Sequence, residues 1–452
     1  LPYKGHCTTL QGNQVPFQQS VKNLGSFIMD YVLIVLFLLL TLLGVPVAFS
    51  LCLSVSFLLV KSNLPQVMVA QMMYMGIDSF SFMAVPFFML AGAFMSAGGV
   101  TRRLVNFAQS IVGSLTGGLA QVVAVSGMFF AAISGSSAAT TAAIGSTMID
   151  EMEKKGYDRD FATGVVAAGG TVGIVIPPSI TMVVYGVVAG VSIGELFVGG
   201  FAPGFLMGIT MCLVSYFIAR KKGWAGEGKF AWKRVWVTFK DSFFALLTPV
   251  IIIGGIYGGI FTPTEAAAVA AVYGILVGMF IYKELKLKDF PEILFKAVIS
   301  STIIMFIVGA ANVFGWMLTN LQLPQRIARE VITIIKTPAL FLIAVNILLL
   351  IAGTMVNASA AVVILTPIFL PIVHSFGIDP LFFGVLMVVN LAIGCITPPV
   401  GLDLFVASAI TKVPIERVVK ATLPFLYALL ADLLILTFVP QVILFIPRLL
   451  KG

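Results

Sequence analysis

Charge is scarce in this sequence. Asp, Glu, Lys and Arg make up 10% of its 452 residues, while 59% are hydrophobic. Mean hydropathy is +1.08, and apolar runs of membrane-spanning length recur throughout, which excludes a soluble globular domain. The net charge of +8 does not point to nucleic acid, because the basic residues fall in loops between the apolar runs, where they orient membrane spans. Histidine is almost missing: only His6 and His374 occur. Metal-dependent or histidine-dependent catalysis therefore has little to work with. An intramembrane hydrolase would also need a base or metal ligand beside its nucleophile, and the serine clusters described below have neither His nor Lys next to them. Cysteine is equally sparse. Cys7, Cys52, Cys212 and Cys395 lie far apart, with neither a disulfide framework nor metal-ligand spacing. What remains is an all-α polytopic membrane protein.

Two stretches organise it. Ser134-Gly135-Ser136-Ser137 is followed by Gly173-Ile174-Val175-Ile176-Pro177-Pro178, and Asn357-Ala358-Ser359 by Gly394-Cys395-Ile396-Thr397-Pro398-Pro399. Ser134 to Pro177 spans 43 positions and Asn357 to Pro398 spans 41. Each Pro-Pro removes amide donors and leaves neighbouring carbonyls without helical partners. In hydrocarbon such breaks persist only where protein or a water-filled cavity satisfies them. A matched pair of broken segments in two halves of a chain points to the binding site of a transporter.

Around that pair the chain reads as follows. Residues 1–28 are polar, lack an apolar signal core and give way abruptly to Met29. They are expected to be an added leader or linker with Met29 as the native start, the alternative being the tail of a fused upstream subunit. Residues 28–60 read as two tight crossings joined at Gly44-Val45-Pro46, with an amphipathic stretch at 64–77 and a third span at 79–98. Residues 101–119 carry Arg102 and Arg103 and suit a helix lying at the interface. The apolar flanks of Ser134–Thr141 are each about half a bilayer long, so 118–148 predicts a re-entrant hairpin with its tip at mid-membrane. A broken span at 161–189 and a crossing at 201–219 follow.

Residues 220–240 hold seven Lys or Arg against one Glu and read as a cytoplasmic loop dividing the halves. The second half repeats the first: paired spans at 243–261 and 263–282, a span at 297–318 and an interfacial helix at 321–336. It ends with a hairpin around Thr354–Ser359, a broken span at 381–410 and a last span at 424–446. Counting crossings from the basic loop puts hairpin one on the cytoplasmic side and hairpin two opposite, so the halves are expected to be inverted repeats. Lys412, Arg417 and Lys420 then fall inside, and Arg326, Arg329 and Lys336 are exceptions.

The resulting division is 29–118 for first-repeat scaffold spans and arm, 119–190 for the first half of a transport domain, and 191–336 for scaffold spans, basic loop and second arm. The second half of the transport domain is 339–410, and 411–452 is the C-terminal scaffold span. The two halves of the transport domain should move as one compact block.

Within the breaks, Ser136, Ser137 and Thr140, echoed by Thr354, Asn357 and Ser359, are candidate substrate ligands. Singly, each serine or threonine could be a helix-packing residue. As sets beside Pro-Pro breaks they offer hydroxyl and carbonyl oxygens to a cation, while adjoining helix N-termini offer amides to an anion. No Arg or Lys lies in either broken region, so a carboxylate would be held by dipoles and hydroxyls. Asp403, four residues past Pro399, is an intramembrane carboxylate without a sequence-local partner. It is a candidate for a proton, Na⁺ or substrate selectivity, or for pairing with another helix. Glu265 reads instead as the last member of a capping box in Thr262-Pro263-Thr264-Glu265. Asp432 is expected to face a helix neighbour, His374 to be structural, and Asn357-Ala358-Ser359 to be too deep to act as a glycosylation sequon.

The segments ISGSSAATTAAIGS, GIVIPPSITMVVYG, TPTEAAAVAA and GCITPPVGLDLF, within about residues 29–450, resemble the large membrane subunit (M subunit, DctM-like) of tripartite ATP-independent periplasmic (TRAP) transporters. The resemblance implies an elevator-type secondary transporter of the bacterial inner membrane, importing an organic anion such as a C4-dicarboxylate or sialic acid with Na⁺. It also implies two partners, a small four-span membrane subunit and a periplasmic binding protein. Carried over by position, one Na⁺ site would use Ser134 with carbonyls around Gly173, Ile176 and Pro178. The second would use Gly353, Gly394, Thr397 and Val400. Ala131 and Asn357 depart from the Ser and Asp of some sialic-acid members. A stand-alone anion transporter of the same architecture, needing no binding protein, is the alternative.

Overall fold

In the computed structural model, residues 26–226 and 228–451 are described. The expected leader lies outside the described residues up to position 25, and its last positions already belong to the first helix. Among the described residues the chain is helical throughout, with no strand, and eight helices are long and apolar enough to cross a membrane. It divides into two units.

One unit comprises the described residues up to Asp78 together with Met305–Glu330. Helices α1 (Ser26–Leu42) and α2 (Val47–Lys61) form the two tight crossings expected over 28–60. They turn at Gly44, whose φ of +86° suits a residue without Cβ. Helix α3 (Val67–Ile77) buries none of its side chains. The Asn312 side chain donates to the Met72 carbonyl at 2.8 Å, and Phe37 and Phe49 pack on Phe314 and Phe306.

The other unit comprises Ser79–Ile304 and Val331 onward. After a short 3-10 turn come α4 (Ala84–Ala97) and the strongly amphipathic α5 (Val100–Val112). Helix α5 buries Leu104, Val105 and Ala108 while Arg102 and Arg103 reach Glu284 at 2.6 and 2.7 Å. Helices α6 (Gly118–Ser134) and α7 (Ser137–Lys154) form a hairpin whose turn is Gly135-Ser136. Then α8 (Arg159–Thr171) ends in a 3-10 turn at Val172–Ile174, the chain bends at Pro177-Pro178, and α9 (Ile180–Ala189) resumes.

Helices α10 (Ile193–Lys222), α11 (Trp232–Tyr257), α12 (Pro263–Leu276), α13 (Phe290–Asn320) and α14 (Leu323–Ile334) lead to the second hairpin, α15 (Pro338–Met355) and α16 (Ala358–Ser375). Helix α17 (Pro380–Gly394) breaks at Pro398-Pro399 before α18 (Leu402–Thr411), and α19 (Ile415–Phe438) and α20 (Gln441–Lys451) end the chain. Helices α9 and α18 have ten residues each, about 15 Å, which is half the roughly 30 Å of a hydrocarbon core.

Several boundaries differ from the sequence reading. The crossing expected at 201–219 is the longer α10, because Ser192 caps it by accepting the Glu195 amide. That Ser…Glu spacing is a readable start signal. The basic segment 220–240 is half helix, since α10 runs through Lys222 and α11 starts at Trp232. The last span, expected at 424–446, is α19, beginning at Ile415 and ending at Phe438. A separate α20 follows because Pro440 has no amide and drives Val439 out of helical geometry (φ −122°). The capping box at Thr262–Glu265 is formed, with Glu265 accepting the Thr262 amide at 2.8 Å. Asp432 on α19 accepts from Thr210 of α10 at 2.9 Å.

Candidate functional site

Each Pro-Pro break lies against the turn of its own hairpin. At the first, the Thr140 hydroxyl donates to the Ser136 carbonyl at 2.8 Å and meets Ser134 Oγ at 2.9 Å. A Cβ on Gly173 would stand 2.7 Å from that same Ser136 carbonyl, and a Cβ on Gly135 2.8 Å from the Pro178 carbonyl. Ser134, Gly173 and Pro178 thus lie together with Ser136 and Thr140, whereas Ile176 is buried with its side chain against Gly204 of α10. At the second break, Gly394 and Gly353 touch back to back: a Cβ on either would come within 3.0 Å of the other's Cα. The Gly401 amide donates to the Thr354 carbonyl at 3.1 Å, and the Thr397 hydroxyl donates to Ile393 O at 2.8 Å. Gly353, Gly394 and Thr397 are therefore together, whereas Val400 is exposed. Only glycine permits such backbone approach, which is how a break and a hairpin turn can pool their carbonyls.

The breaks also cross over. Helix α9, beyond the first break, packs on α16 of the second hairpin, where Thr181 Oγ1 lies 3.3 Å from Ser359 Oγ. Helix α18, beyond the second break, packs on α7 of the first hairpin, where Asp403 faces Ser137 and Cys395. The two tips thereby meet around a small cavity of about 50 Å³ lined by Ser136, Ser137, Asn357 and Ser359 with Thr181 and Leu402.

Two helix N-termini open onto it. Ser136 caps α7 by accepting the Ala139 amide, and Asn357 caps α16 by accepting the Ser359 amide at 3.0 Å. One cap satisfies one of the roughly four amides that a helix start leaves free. The amides of Ser137, Ala138 and Ala358 have no acceptor among the described residues, and all three residues line the cavity. Free amides, hydroxyls and the positive ends of two helices make a neutral anion site.

Three of the seven expected substrate ligands stand back from the cavity. Thr140 is occupied with Ser134 and Ser136, and the Thr354 hydroxyl donates to Ile351 O at 2.8 Å. Asp403 is fully buried behind Leu402 in the first turn of α18, with neither carboxylate oxygen in hydrogen-bond geometry. Its place at a helix N-terminus was not foreseen, because Gly401 rather than a polar residue precedes that helix. The small cavity shares Met89, Ser136 and Ala138 with a larger cleft of about 560 Å³ between α4, α7 and the start of α13. That cleft contains a cation the sequence reading missed, Lys296, paired with Glu292 at 2.6 Å.

The tripartite ATP-independent periplasmic transporter family, DctM component, matches residues 34–442. The C4-dicarboxylate TRAP transporter large permease DctM of Pseudomonas aeruginosa is 46% identical over 371 residues, covering 82% of this chain and 87% of the relative. This chain belongs to the DctM family. The sialic acid TRAP transporter large permease SiaM of Vibrio cholerae is 40% identical over 410 residues, covering 90% and 96%. The isethionate TRAP transporter permease DctMQ of Oleidesulfovibrio alaskensis is 46% identical over 430 residues, covering 93% and 67%. Among solved structures, the YdaH transporter of Alcanivorax borkumensis aligns with a TM-score of 0.60 at 14% identity, over 81% of this chain and 85% of that one, a likeness of fold. As a DctM-family protein the chain is a transporter subunit and not an enzyme, a multipass protein of the bacterial inner membrane.

Proposed function

We propose that this DctM-family subunit imports an organic anion coupled to Na⁺, binding it between the tips of two re-entrant hairpins related by inverted topology. The observation that carries the reading is the cavity where the free amides of Ser137, Ala138 and Ala358 converge with the hydroxyls of Ser136, Ser137 and Ser359 and the amide of Asn357. It offers donors and no fixed positive charge, which suits the release of an anion as well as its binding. Relatives named for C4-dicarboxylate, sialic acid and isethionate all handle organic acids.

The Na⁺ sites in this reading are two sets of oxygens, Ser134 with carbonyls at Gly173, Ile176 and Pro178, and Gly353, Gly394, Thr397 and Val400. Ser134, Gly173 and Gly394 each directly adjoin a residue that lines the anion cavity (Gly135, Ile174 and Cys395), so a bound cation would offset the charge of the anion. Asp403 contributes through Ser137, which it faces from behind the cavity, and a cation bound nearby would favour its ionised form. The two hairpins and two broken helices, 119–190 and 339–410, form the moving block, carried by the spans around it. Lys296, the cation lining the larger cleft, is paired with Glu292 at 2.6 Å and would have to exchange that carboxylate for the anion's to draw it toward the tips. A small four-span membrane subunit and a periplasmic binding protein complete the system.

The test is uptake into proteoliposomes holding this chain and its small subunit, with the binding protein outside and a panel of carboxylates. A Na⁺ gradient should drive accumulation only when the binding protein is present. Full uptake without it would favour the stand-alone transporter instead.

A further inference from the structure

Three polar side chains, one from each of three apolar helices, are bonded in a row behind the second break. Asn346 of α15, Asn390 of α17 and Thr437 of α19 are all buried, Asn390 completely. Asn390 Nδ2 donates to Asn346 Oδ1 at 3.0 Å and to the Asn346 carbonyl at 3.1 Å, and Asn346 Nδ2 donates to Thr437 Oγ1 at 2.8 Å. The far end fixes the direction of the row. The single proton of the Thr437 hydroxyl goes to the Leu433 carbonyl at 2.7 Å, so toward Asn346 it can only accept. That turns the Asn346 amide until its oxygen meets Asn390. None of the three residues lines the anion cavity.

Adhesion alone does not call for such side chains, because polar pairs add little to the association of helices in lipid. What a buried amide pair does well is fix register. Sliding α15 along α17 would part Asn346 from Asn390 and leave polar groups unpaired in apolar surroundings. Register matters here because the same two helices touch again where Gly353 meets Gly394. Asn390 lies four residues before Gly394, about one helix turn, and Asn346 seven before Gly353, about two turns. The first break is built differently. Eight residues before Pro177, where the second break has Asn390 before Pro398, stands Gly169, whose carbonyl would lie 2.8 Å from a Cβ on Gly127. A steric stop between backbones does there what the amide pair does in the second half.

We propose that Asn346 and Asn390 are positioning residues for the second cation site. Their amide pair sets the register of α15 on α17, and with it the spacing at which Gly353, Gly394 and Thr397 present their oxygens. Thr437 holds the Asn346 amide in the orientation that the pair needs, and it does so from α19, outside the proposed moving block. The inference rests on the Na⁺ reading of that site.

The experiment is equilibrium binding of radioactive Na⁺ to the purified full chain with its small subunit, beside a thermal melt of each variant. Asn390→Leu should weaken one of the two Na⁺ sites about fivefold, the worth of one lost hydrogen bond, and leave the other, at Ser134, as in the wild type. Asn346→Leu should do the same, and the double variant should lose no more than either alone, because the two residues share one contact. Thr437→Val should weaken the same site about twofold, while Thr437→Ser, which keeps the acceptor, and Thr422→Val, which removes another buried hydroxyl from α19, should bind as the wild type does. Wild-type binding by folded Asn390→Leu, additive losses in the double variant, or equal weakening of both sites overturns the inference. If the leucine variants fail to fold, Thr437→Val and Thr437→Ser carry the test, and equal Na⁺ binding by those two overturns it. A wild type that binds no Na⁺ overturns the transport reading, and this inference with it.

Discussion

Replacing Gly394 with alanine adds one methyl group where the second break touches the second hairpin. The new Cβ would stand 2.7 Å from Gly353 Cα and 2.9 Å from the Gly353 carbonyl carbon. Carbon atoms pack comfortably at about 3.5–4.0 Å, so α15 and α17 must separate by roughly an ångström. Both clashing atoms are backbone, and no rotamer change relieves them. Overpacking of this kind costs about 1–3 kcal/mol, which in a chain of this size lowers Tm by a few degrees. The effect on function should be far larger, because a ligand set displaced by about 1 Å can lose about 100-fold in rate. Uptake at sub-saturating Na⁺ should therefore fall on the order of 100-fold, with partial recovery at high Na⁺. Gly254→Ala is the control: it lies in α11 and a Cβ there meets nothing within 4 Å, so both properties should hold. The assay is Na⁺-titrated uptake in proteoliposomes beside a thermal melt of each variant. Wild-type Na⁺ dependence in Gly394→Ala would refute the reasoning, and a Tm collapse matching the uptake loss would reduce the contact to packing.

Other substitutions separate the parts of the site. Thr397→Ala should raise the half-saturating Na⁺ concentration about tenfold with little change in Tm, while Thr397→Ser, which keeps the oxygen, restores it; equal Na⁺ titrations for the two would remove Thr397 from the ion site. Asp403→Asn should weaken Na⁺ dependence and leave thermal stability nearly unchanged, since asparagine keeps the shape of this fully buried carboxyl group; lower stability with unchanged Na⁺ dependence would make Asp403 structural. Lys296→Gln should raise the apparent KM for the anion several-fold at low ionic strength and leave the maximal rate nearly unchanged, and a KM insensitive to both the substitution and salt would exclude steering by that cleft.

The helix breaks were legible because proline acts locally: Pro177-Pro178 and Pro398-Pro399 stop helices whatever surrounds them, and Ser136, Ser179 and Asn357 announce the next starts as caps. Family resemblance put Gly353 and Gly394 in one expected Na⁺ site, but their contact was not legible, since spacing alone does not say which glycine backs onto which. The cross-over of α9 onto α16 and α18 onto α7 was beyond the sequence too, because it pairs residues such as Thr181 and Ser359 that are 178 positions apart. Lys296 escaped notice for the same reason. It lies outside both broken stretches and joins the cleft from α13. Where local signals were present but outweighed by hydropathy, as at Ser192 and Pro440, the ends of α10 and α19 were misplaced.

Paired cysteines on a background without native cysteine test the moving block most directly. Gly145→Cys with Ile410→Cys joins α7 to α18 inside the block and away from the anion cavity, where the Ile410 Cδ1 lies 3.5 Å from the position a Gly145 Cβ would take. Met128→Cys with Gly208→Cys joins α6 of the block to α10 outside it, where the Met128 sulfur lies 2.1 Å from the position a Gly208 Cβ would take. Oxidation should leave Na⁺-driven uptake intact in the first pair and arrest it in the second, with reduction restoring it. Arrest by the first pair together with undisturbed uptake by the second would contradict a site carried across the membrane as one body.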